Sequence, residues 1–289
     1  MSDALLPAFK TTILEHFPDL ADSEFSLLTK GWHSVAVDVD DRLIFKFPRH
    51  KEAERALRTE AGLLSVIRPV VTMPVPDLTL FPGPPLFSHH AKLKGEHLTT
   101  KEYSALPVGA RGDLASRMAQ LYAELHALEH HLMAAAGAAP VHPWPEPEDI
   151  LRDAWPVLPS ELRSPAERAI DAWQHLAPDP HGTTYGFFDG HGWNMAFDHG
   201  SQRLNGVYDF ADSGFGALHQ EFIYSNFISW DLTSRIIGAY ESLTSRTIDR
   251  KRVHLLTGVF WLSEVAGFAN EPAHLPQALE LVSDWVRHQ

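Results

Sequence analysis

The chain has 289 residues, 44% hydrophobic and 21% charged, with a formal net charge of -13 at pH 7; it is long enough for a substantial core in one large domain or two lobes. The acidic balance excludes a nucleic-acid partner, because proteins that bind phosphate backbones concentrate positive charge, and no apolar run approaches the length that crosses a bilayer. The absence of cysteine excludes a disulfide framework and thiolate chemistry and makes the cytoplasm the expected location.

The acid is unevenly placed. Residues 1–97 carry 11 Lys and Arg against 13 Asp and Glu, a balance of -2, and the remainder carries 13 against 24, a balance of -11. A cationic small molecule would be drawn to the second part; the same excess also suits a solvated acidic surface that keeps the protein in solution.

In chain order, residues 1–17 read as an amphipathic helix, with Asp3 and no early basic cluster to suggest a signal peptide. Phe25 to Leu28, Val35 to Val39 and Leu43 to Phe47 are three short strand patterns of an antiparallel meander, separated by Gly31-Trp32-His33-Ser34 and Asp40-Asp41-Arg42. Lys46 lies between Phe45 and Phe47, where an unpaired ammonium would be costly to bury. The spacing of Ala53, Leu57, Leu64 and Ile67 predicts a helix over Lys51 to Ile67, and Glu60 shares its apolar face. A strand Lys paired to a helix Glu is how kinases hold the nucleotide's α and β phosphates. The alternative is that Lys46 snorkels to solvent and Glu60 lies on a wet face. Met73-Pro74-Val75-Pro76 ends the helical region, and Leu78 to Phe81 and Leu86 to Leu93 read as two more strands.

Leu114, Met118, Leu121, Leu125 and Leu128 predict one long helix from Gly112 to Leu132. Its histidines, His126, His130 and His131, fit a helix end better than a transition-metal site. A Pro-rich exposed segment from Ala138 to Pro147 follows, then helices around Glu148 to Trp155 and Ser164 to Leu176. Beyond residue 220, helices are predicted over Glu221 to Leu243, Asp249 to Ala269 and Leu275 to His288, with Phe222, Phe227, Trp230, Trp261 and Trp285 as core stripes.

The chemistry concentrates between Thr183 and Phe222. Tyr185, Phe187 and Phe188 lead into a Gly-rich loop that carries Asp189, His191 and Asn194. Met195 to Phe197 and Leu204 to Tyr208 then read as a hairpin about a turn at His199 to Gln202, delivering Asp209. An Asp and an Asn suit Mg²⁺, a hard cation that keeps phosphate oxygens and water in its remaining positions. In a kinase catalytic loop the base Asp stands five residues before a metal-binding Asn, as Asp189 stands before Asn194, and a second metal Asp precedes Phe, as in Asp209-Phe210.

Phe187-Phe188-Asp189-Gly190-His191-Gly192-Trp193-Asn194 and Tyr208-Asp209-Phe210-Ala211-Asp212 together resemble the aminoglycoside phosphotransferase family of protein-kinase-like small-molecule kinases. The acid, the second His, the Asn and the metal Asp match. Phe187-Phe188 departs from the family's usual His-Gly, a change that bears on packing behind the loop, and Glu221 stands for a commoner Asp. The resemblance implies an α+β, bilobal protein-kinase-like fold, with an N-terminal antiparallel sheet plus helix and a larger, mainly helical C-terminal lobe. Residues 1–93 would form the nucleotide-binding lobe ending in the hinge, and residues 94–289 the catalytic and acceptor-binding lobe.

It also implies ATP and Mg²⁺ as cofactors, Asp189 as catalytic base, and Asn194 and Asp209 as metal ligands. Gly31 and Ser34 would shape the phosphate loop, Lys46 and Glu60 the phosphate contact, and Ser88, His89, His90, Ala91 and Lys92 the hinge. His191, Asp212, Glu221, Glu264 and Glu271 are the candidate acceptor-side residues. The expected reaction is transfer of the γ-phosphoryl group to a hydroxyl of a small molecule. An aminoglycoside-like amino sugar is the acceptor that the acidic second part favours; choline, homoserine, fructosamine and macrolide types are the alternatives within the family. A nucleotide-binding pseudokinase would have lost a base or metal ligand, whereas Asp189, Asn194, Asp209 and Lys46 are all present.

Overall fold

A computed structural model of the chain describes residues 5–28 and 34–288. These residues form two compact units, and the chain passes between them more than once. The first comprises residues up to 96 together with 128–138 and 195–211; the second comprises 97–127, 139–194 and 212 onward.

In the first unit, period-two alternation builds one antiparallel sheet of β1 (Phe25–Leu28), β2 (Ser34–Val39), β3 (Leu43–Pro48), β4 (Thr79–Phe81) and β5 (Phe87–Ala91), in the order β1-β2-β3-β5-β4. Val37, Val39, Phe45, Phe47 and Phe87 join one core with Ile13 of helix α1 (Leu6–His16). Rings stack across it, Phe9 on Phe47 at 4.3 Å and Phe81 on Phe87 at 4.6 Å between centroids. The β2–β3 turn places Asp40 and Asp41 at φ of 56° and 53°, the doubly left-handed geometry that matches strand twist and that Asp tolerates. Lys46 pairs with Ala36 on one side and Ser88 on the other. Its neighbours Phe45 and Phe47 point into the ring core, so alternation turns Lys46 to the opposite face.

Helix α2 (Lys51–Ile67) begins where the His50 side chain accepts from Ala53 N–H, and Glu52 and Glu54 occupy its first turn, where acid is favoured by the helix dipole. Ala53, Leu57, Glu60, Leu64 and Ile67 are buried at three- and four-residue spacing, so one polar residue rides on an apolar stripe. The hairpin of β7 (Met195–Asp198) and β8 (Arg203–Val207) also belongs to this unit. Met195 pairs with Val207, one residue after Asn194 and two before Asp209. Asp198 ties the turn by accepting from Gly200 and Ser201 N–H at 2.8 and 3.1 Å.

The second unit is mainly helical: α3 (Thr100–Ala105), α4 (Val108–His126), α6 (Pro147–Ala154), α7 (Ser160–Gln174), α8 (Trp230–Thr244), α9 (Arg250–Gly267) and α10 (Leu275–Arg287). A two-stranded ladder of β6 (Thr183–Gly186) and β9 (Gly214–Ala217) lies among them. Its core holds Ile150, Leu162, Ile170, Leu262, Val282 and two fully buried indoles, Trp261 and Trp285.

Two predicted helices are corrected. The helix expected over Gly112 to Leu132 starts earlier, after Pro107, and stops at His126; α5 (His130–Ala135) is a separate helix begun at Glu129, whose ψ of 121° is extended. The apolar pattern runs through the break because the chain leaves the second unit for the first at residues 127–128, and both helices bury Leu or Met on arrival. The helix expected from Glu221 begins only at Trp230, where Ser229 caps it through Asp231 N–H. Leu218–Phe222 and Tyr224–Phe227 are 3-10 turns, the shorter-range geometry of connectors. Helix α3 was not expected from apolar spacing; its mark was the Thr99/Glu102 capping box.

Beside the Leu218–Phe222 turn, Asp179 is buried and accepts from His219 N–H at 2.9 Å and from the His219 ring at 2.8 Å, with His181 N–H on its other oxygen at 2.9 Å. Burial opposes its charge, but these bonds outweigh burial and hold its carboxyl down to about 2. A depressed carboxylate contributes stability that is complete above its unfolded pKa and lost as pH falls through the folded one. Asp179→Asn is therefore expected to cost about 2 kcal/mol at pH 7. The difference from wild type should shrink as pH falls from about 5 toward 2, as read by urea unfolding at each pH.

Candidate active site

In the first unit, Lys46 Nζ lies 3.3 Å from both carboxylate oxygens of Glu60 and 3.7 Å from Asp209 Oδ1. The side chains of Lys46 and Glu60 are 17% and 2% exposed, and that of Asp209 is 52% exposed. Burial by itself would discharge the ammonium; the Glu60 and Asp209 carboxylates more than offset it and raise the Lys46 pKa, so the lysine is charged. Glu60 Oε1 also accepts from Phe210 N–H at 3.2 Å, which attaches helix α2 to the segment after β8. Asp209 itself has a φ of 70°, a left-handed conformation open to Asp at low strain, and its carboxylate faces solvent. The Lys46–Glu60 contact is thus formed and Lys46 does not snorkel.

The expected hinge residues fall on β5. Ser88 and His89 lie between β3 and β4 in register with both. A backbone group in a ladder has no second donor for a base, so these two are corrected: they are sheet interior. His90 and Ala91 pair only with β3, and Lys92 follows the strand. The His90 ring is buried, which pushes its pKa down to about 4 and keeps it neutral. Lys92 Nζ lies 2.6 Å from Asp41 Oδ1. Ser34 is the first residue of β2, and Gly31 lies outside the described residues.

In the second unit, Asp189 and Asn194 sit in one loop that is held by its own atoms. Asn194 Nδ2 donates to Asp189 Oδ2 at 2.6 Å and to its carbonyl at 3.1 Å, while His191 Nε2 is 3.0 Å from Asp189 Oδ1. Each oxygen of the carboxylate therefore has one partner and a lone pair to spare, and the Asp189 side chain is 21% exposed. Two glycines are demanded by close approach: a Cβ on Gly190 would stand 2.0 Å from Tyr122 Oη, and one on Gly192 1.9 Å from the Leu98 carbonyl.

Behind the loop, Glu221 is fully buried and gives one oxygen to Phe187 N–H and the other to Phe188 N–H, both at 2.9 Å. Its Oε2 also lies 3.2 Å from His126 Nε2, and His126 Nδ1 is 2.8 Å from Tyr240 Oη. The acceptor-side expectation for Glu221 is corrected accordingly: a carboxylate with no exposure and three partners has nothing left for a ligand. Phe188 has a φ of 51°, in the left-handed region that favours glycine, at a strain of about 1–2 kcal/mol. Its ring fills the space over Gly186 and Gly216, where an added Cβ would come within 2.8 and 2.6 Å of it.

Sequence reasoning did not single out Tyr122, whose buried hydroxyl has no hydrogen-bond partner among the described residues, or the Tyr240 end of the relay. The only signal available was the Leu125-His126 pair on α4. Of the remaining candidates, Asp212 and Glu264 line a cavity of about 290 Å³ together with Phe188, Trp144, Tyr224 and Phe260. Burial pushes the half-buried Glu264 carboxyl above its usual range. Glu271 is exposed beyond α9 and takes no part in that cavity.

Residues 24–254 match the phosphotransferase enzyme family, APH. Among solved structures, the chain is similar to a point mutant of an aminoglycoside 2'-phosphotransferase-IIIa in complex with GDP, at 19% identity and a TM-score of 0.84 over 98% of each chain. It is similar to the GDP and kanamycin complex of APH(2")-IIIa at 18% identity and a TM-score of 0.79, over 98% of this chain and 99% of that one. The macrolide 2'-phosphotransferase MphH from Brachybacterium faecium also matches, at 16% identity and a TM-score of 0.66, over 94% of this chain and 98% of that one. At these identities the likeness establishes a kinase-like fold. No curated protein sequence matches the chain. Among the described residues, no helix is long and apolar enough to cross a membrane.

Proposed function

The chain belongs to the phosphotransferase enzyme family and is a small-molecule kinase; from that premise we propose that it moves the γ-phosphoryl group of ATP to a hydroxyl of a cationic small molecule, with Asp189 as the base. The observation that carries the reading is the loop in which Asn194 and His191 each hold one oxygen of a partly exposed Asp189 carboxylate. A carboxylate fixed in this way can orient an acceptor hydroxyl and take its proton without first paying for its own ordering.

Lys46, kept charged and in place by Glu60, faces the phosphates of the nucleotide; the β2 end at Ser34 and the open edge from His90 to Lys92 are its other proposed contacts. Asn194 and Asp209 are the proposed Mg²⁺ ligands. Their chemistry fits a hard cation: Asn194 uses its amide nitrogen on Asp189, leaving oxygen as its donor, and Asp209 presents a half-exposed carboxylate. Mg²⁺, when bound, would neutralise charge on the phosphate oxygens. Asp209→Ala is expected to weaken Mg²⁺-dependent nucleotide binding about tenfold or more, measured by ADP titration with and without the metal. An unchanged Mg²⁺ dependence would move the metal elsewhere.

The proposed acceptor is an amino sugar or another hydroxylated amine, supported by the excess of -11 beyond residue 97; Asp212 and Glu264 are its proposed anionic contacts and Glu271 a more distant one. Choline, homoserine, fructosamine and macrolide types are the further acceptor classes to be tested. The test is ADP release from Mg-ATP across such a panel, with Asp189→Asn as the blank. A signal that vanishes in the blank identifies both reaction and acceptor; release that is the same in both would overturn the assignment of the base.

A further inference from the structure

The cavity beside the loop is built for one kind of charge. Phe260 and Glu264 stand four residues apart on α9 and so share a face. Trp144 comes from the Pro-rich segment, Tyr224 from a 3-10 turn and Phe188 from the residue before Asp189. Three of the rings adjoin: Trp144 lies 5.8 Å and Tyr224 5.4 Å from Phe260, centroid to centroid. Asp212 and Glu264 supply two carboxylates, and no Lys or Arg is among the lining residues. The cavity also adjoins Asp189, because Phe188 precedes that residue and the Tyr224 phenol is close enough for the Asp189 charge to help raise its pKa, after burial.

Aromatic faces and a half-desolvated carboxylate attract a cation, and attract it most when its hydration is weak. A polyamino sugar needs a polar partner for each of its many amino and hydroxyl groups, and buried polar groups left unpaired are costly. Besides its two acids the wall holds the Ser263 hydroxyl, which donates to the Phe260 carbonyl at 2.7 Å, and the His142 ring, whose Nδ1 lies 2.8 Å from the Pro143 carbonyl; the rest is aromatic rings, prolines and a valine. Phe188 is one of the two residues by which the chain departs from the family's loop, and it lines the cavity although its backbone would suit glycine.

Resting on the phosphotransferase reading above, we infer that this cavity receives the ammonium group of an acceptor whose charge is carried on apolar surface, a hydroxylated lipophilic amine in preference to a polyamino sugar, and that Phe188 sets that preference. The test is equilibrium binding to the full chain by tryptophan fluorescence, with Trp144 in the cavity as reporter. The probes are benzyltrimethylammonium, benzyl alcohol as a neutral ring, and 2-deoxystreptamine as a polyamino cyclitol. Benzyltrimethylammonium is expected to bind about tenfold or more tighter than either of the others. Glu264→Gln and Phe188→Gly should each remove most of that preference while ADP affinity is unchanged.

Where Phe188→Gly does not fold, as judged by its melting curve, Phe188→Leu keeps an apolar side chain without the ring and carries the same expectation. Equal or tighter binding of 2-deoxystreptamine, or a preference that survives both substitutions, would overturn the inference. Acceptor-dependent ADP release is measured on the same samples to separate the two readings. Release with a polyamino sugar and no benzyltrimethylammonium binding would leave the phosphotransferase standing and reject the cavity. Probe binding with no acceptor-dependent release from any hydroxylated amine would reject the phosphotransferase reading and the acceptor role of the cavity with it.

Discussion

Asp189→Asn is expected to lower phosphoryl transfer by about 10²–10⁴-fold, the usual contribution of a positioned base, with ADP affinity within about twofold of wild type. The substitution keeps shape and volume, and an amide oxygen can still accept from Asn194 Nδ2, so the loop has reason to keep its form. What it removes is the anion that takes the proton. The nucleotide contacts proposed for Lys46 and Glu60 belong to the other unit of the chain and do not depend on this carboxylate. Steady-state ADP release and a nucleotide titration on the same preparation check both halves. Transfer close to the wild-type rate would remove Asp189 from the reaction, and a parallel loss of ADP affinity would make its role structural.

Glu221→Ala should be the most destabilising single change in the loop's support, costing about 3–5 kcal/mol in urea unfolding. It strips the partner from two buried N–H groups, those of Phe187 and Phe188, and from the His126 ring, with no water-accessible replacement. Glu221→Gln supplies the control: one oxygen remains, one N–H is left unsatisfied, and the expected cost falls to about 1–3 kcal/mol. Because both N–H groups lie immediately before Asp189, the Gln variant should also lose kcat at saturating nucleotide, since small misplacement of a reacting group is costly in rate. A Gln variant with full kcat would confine Glu221 to stability.

The strand and helix patterns of the first unit were legible because each follows a single rule. Alternation in residues 35–47 placed the ring core, and the helix spacing of residues 51–67 put Glu60 on the apolar face. The need of a buried Lys46 for a counter-charge then predicted the contact observed at 3.3 Å. The acidic loop was legible for a similar reason, since Asp189, His191 and Asn194 are near in sequence and interact within one turn of chain.

What failed was long-range. Helix periodicity cannot show where a chain leaves one unit for the other, which is why a single helix was expected where α4 and α5 are separate. Glu221 looked like an available acid, because nothing local reveals that residues 34 and 33 positions earlier in the chain would claim its two oxygens. Ser88 and His89 looked available in the same way until β3 and β4 took both their edges.

By itself, the sequence determined the strand and helix patterns of the first unit and the need of Lys46 for a counter-charge, because periodicity, spacing and the cost of burying charge are local properties of a chain; fold class and family came through the resemblance carried by the motifs around Asp189 and Asp209. Only the tertiary structure decided which acids are committed to holding the loop, which line a cavity, and that Phe188 stands in its wall with a left-handed backbone. Those outcomes depend on burial and on partners distant in sequence, and a side chain's remaining capacity to bind is what is left after such partners have been satisfied.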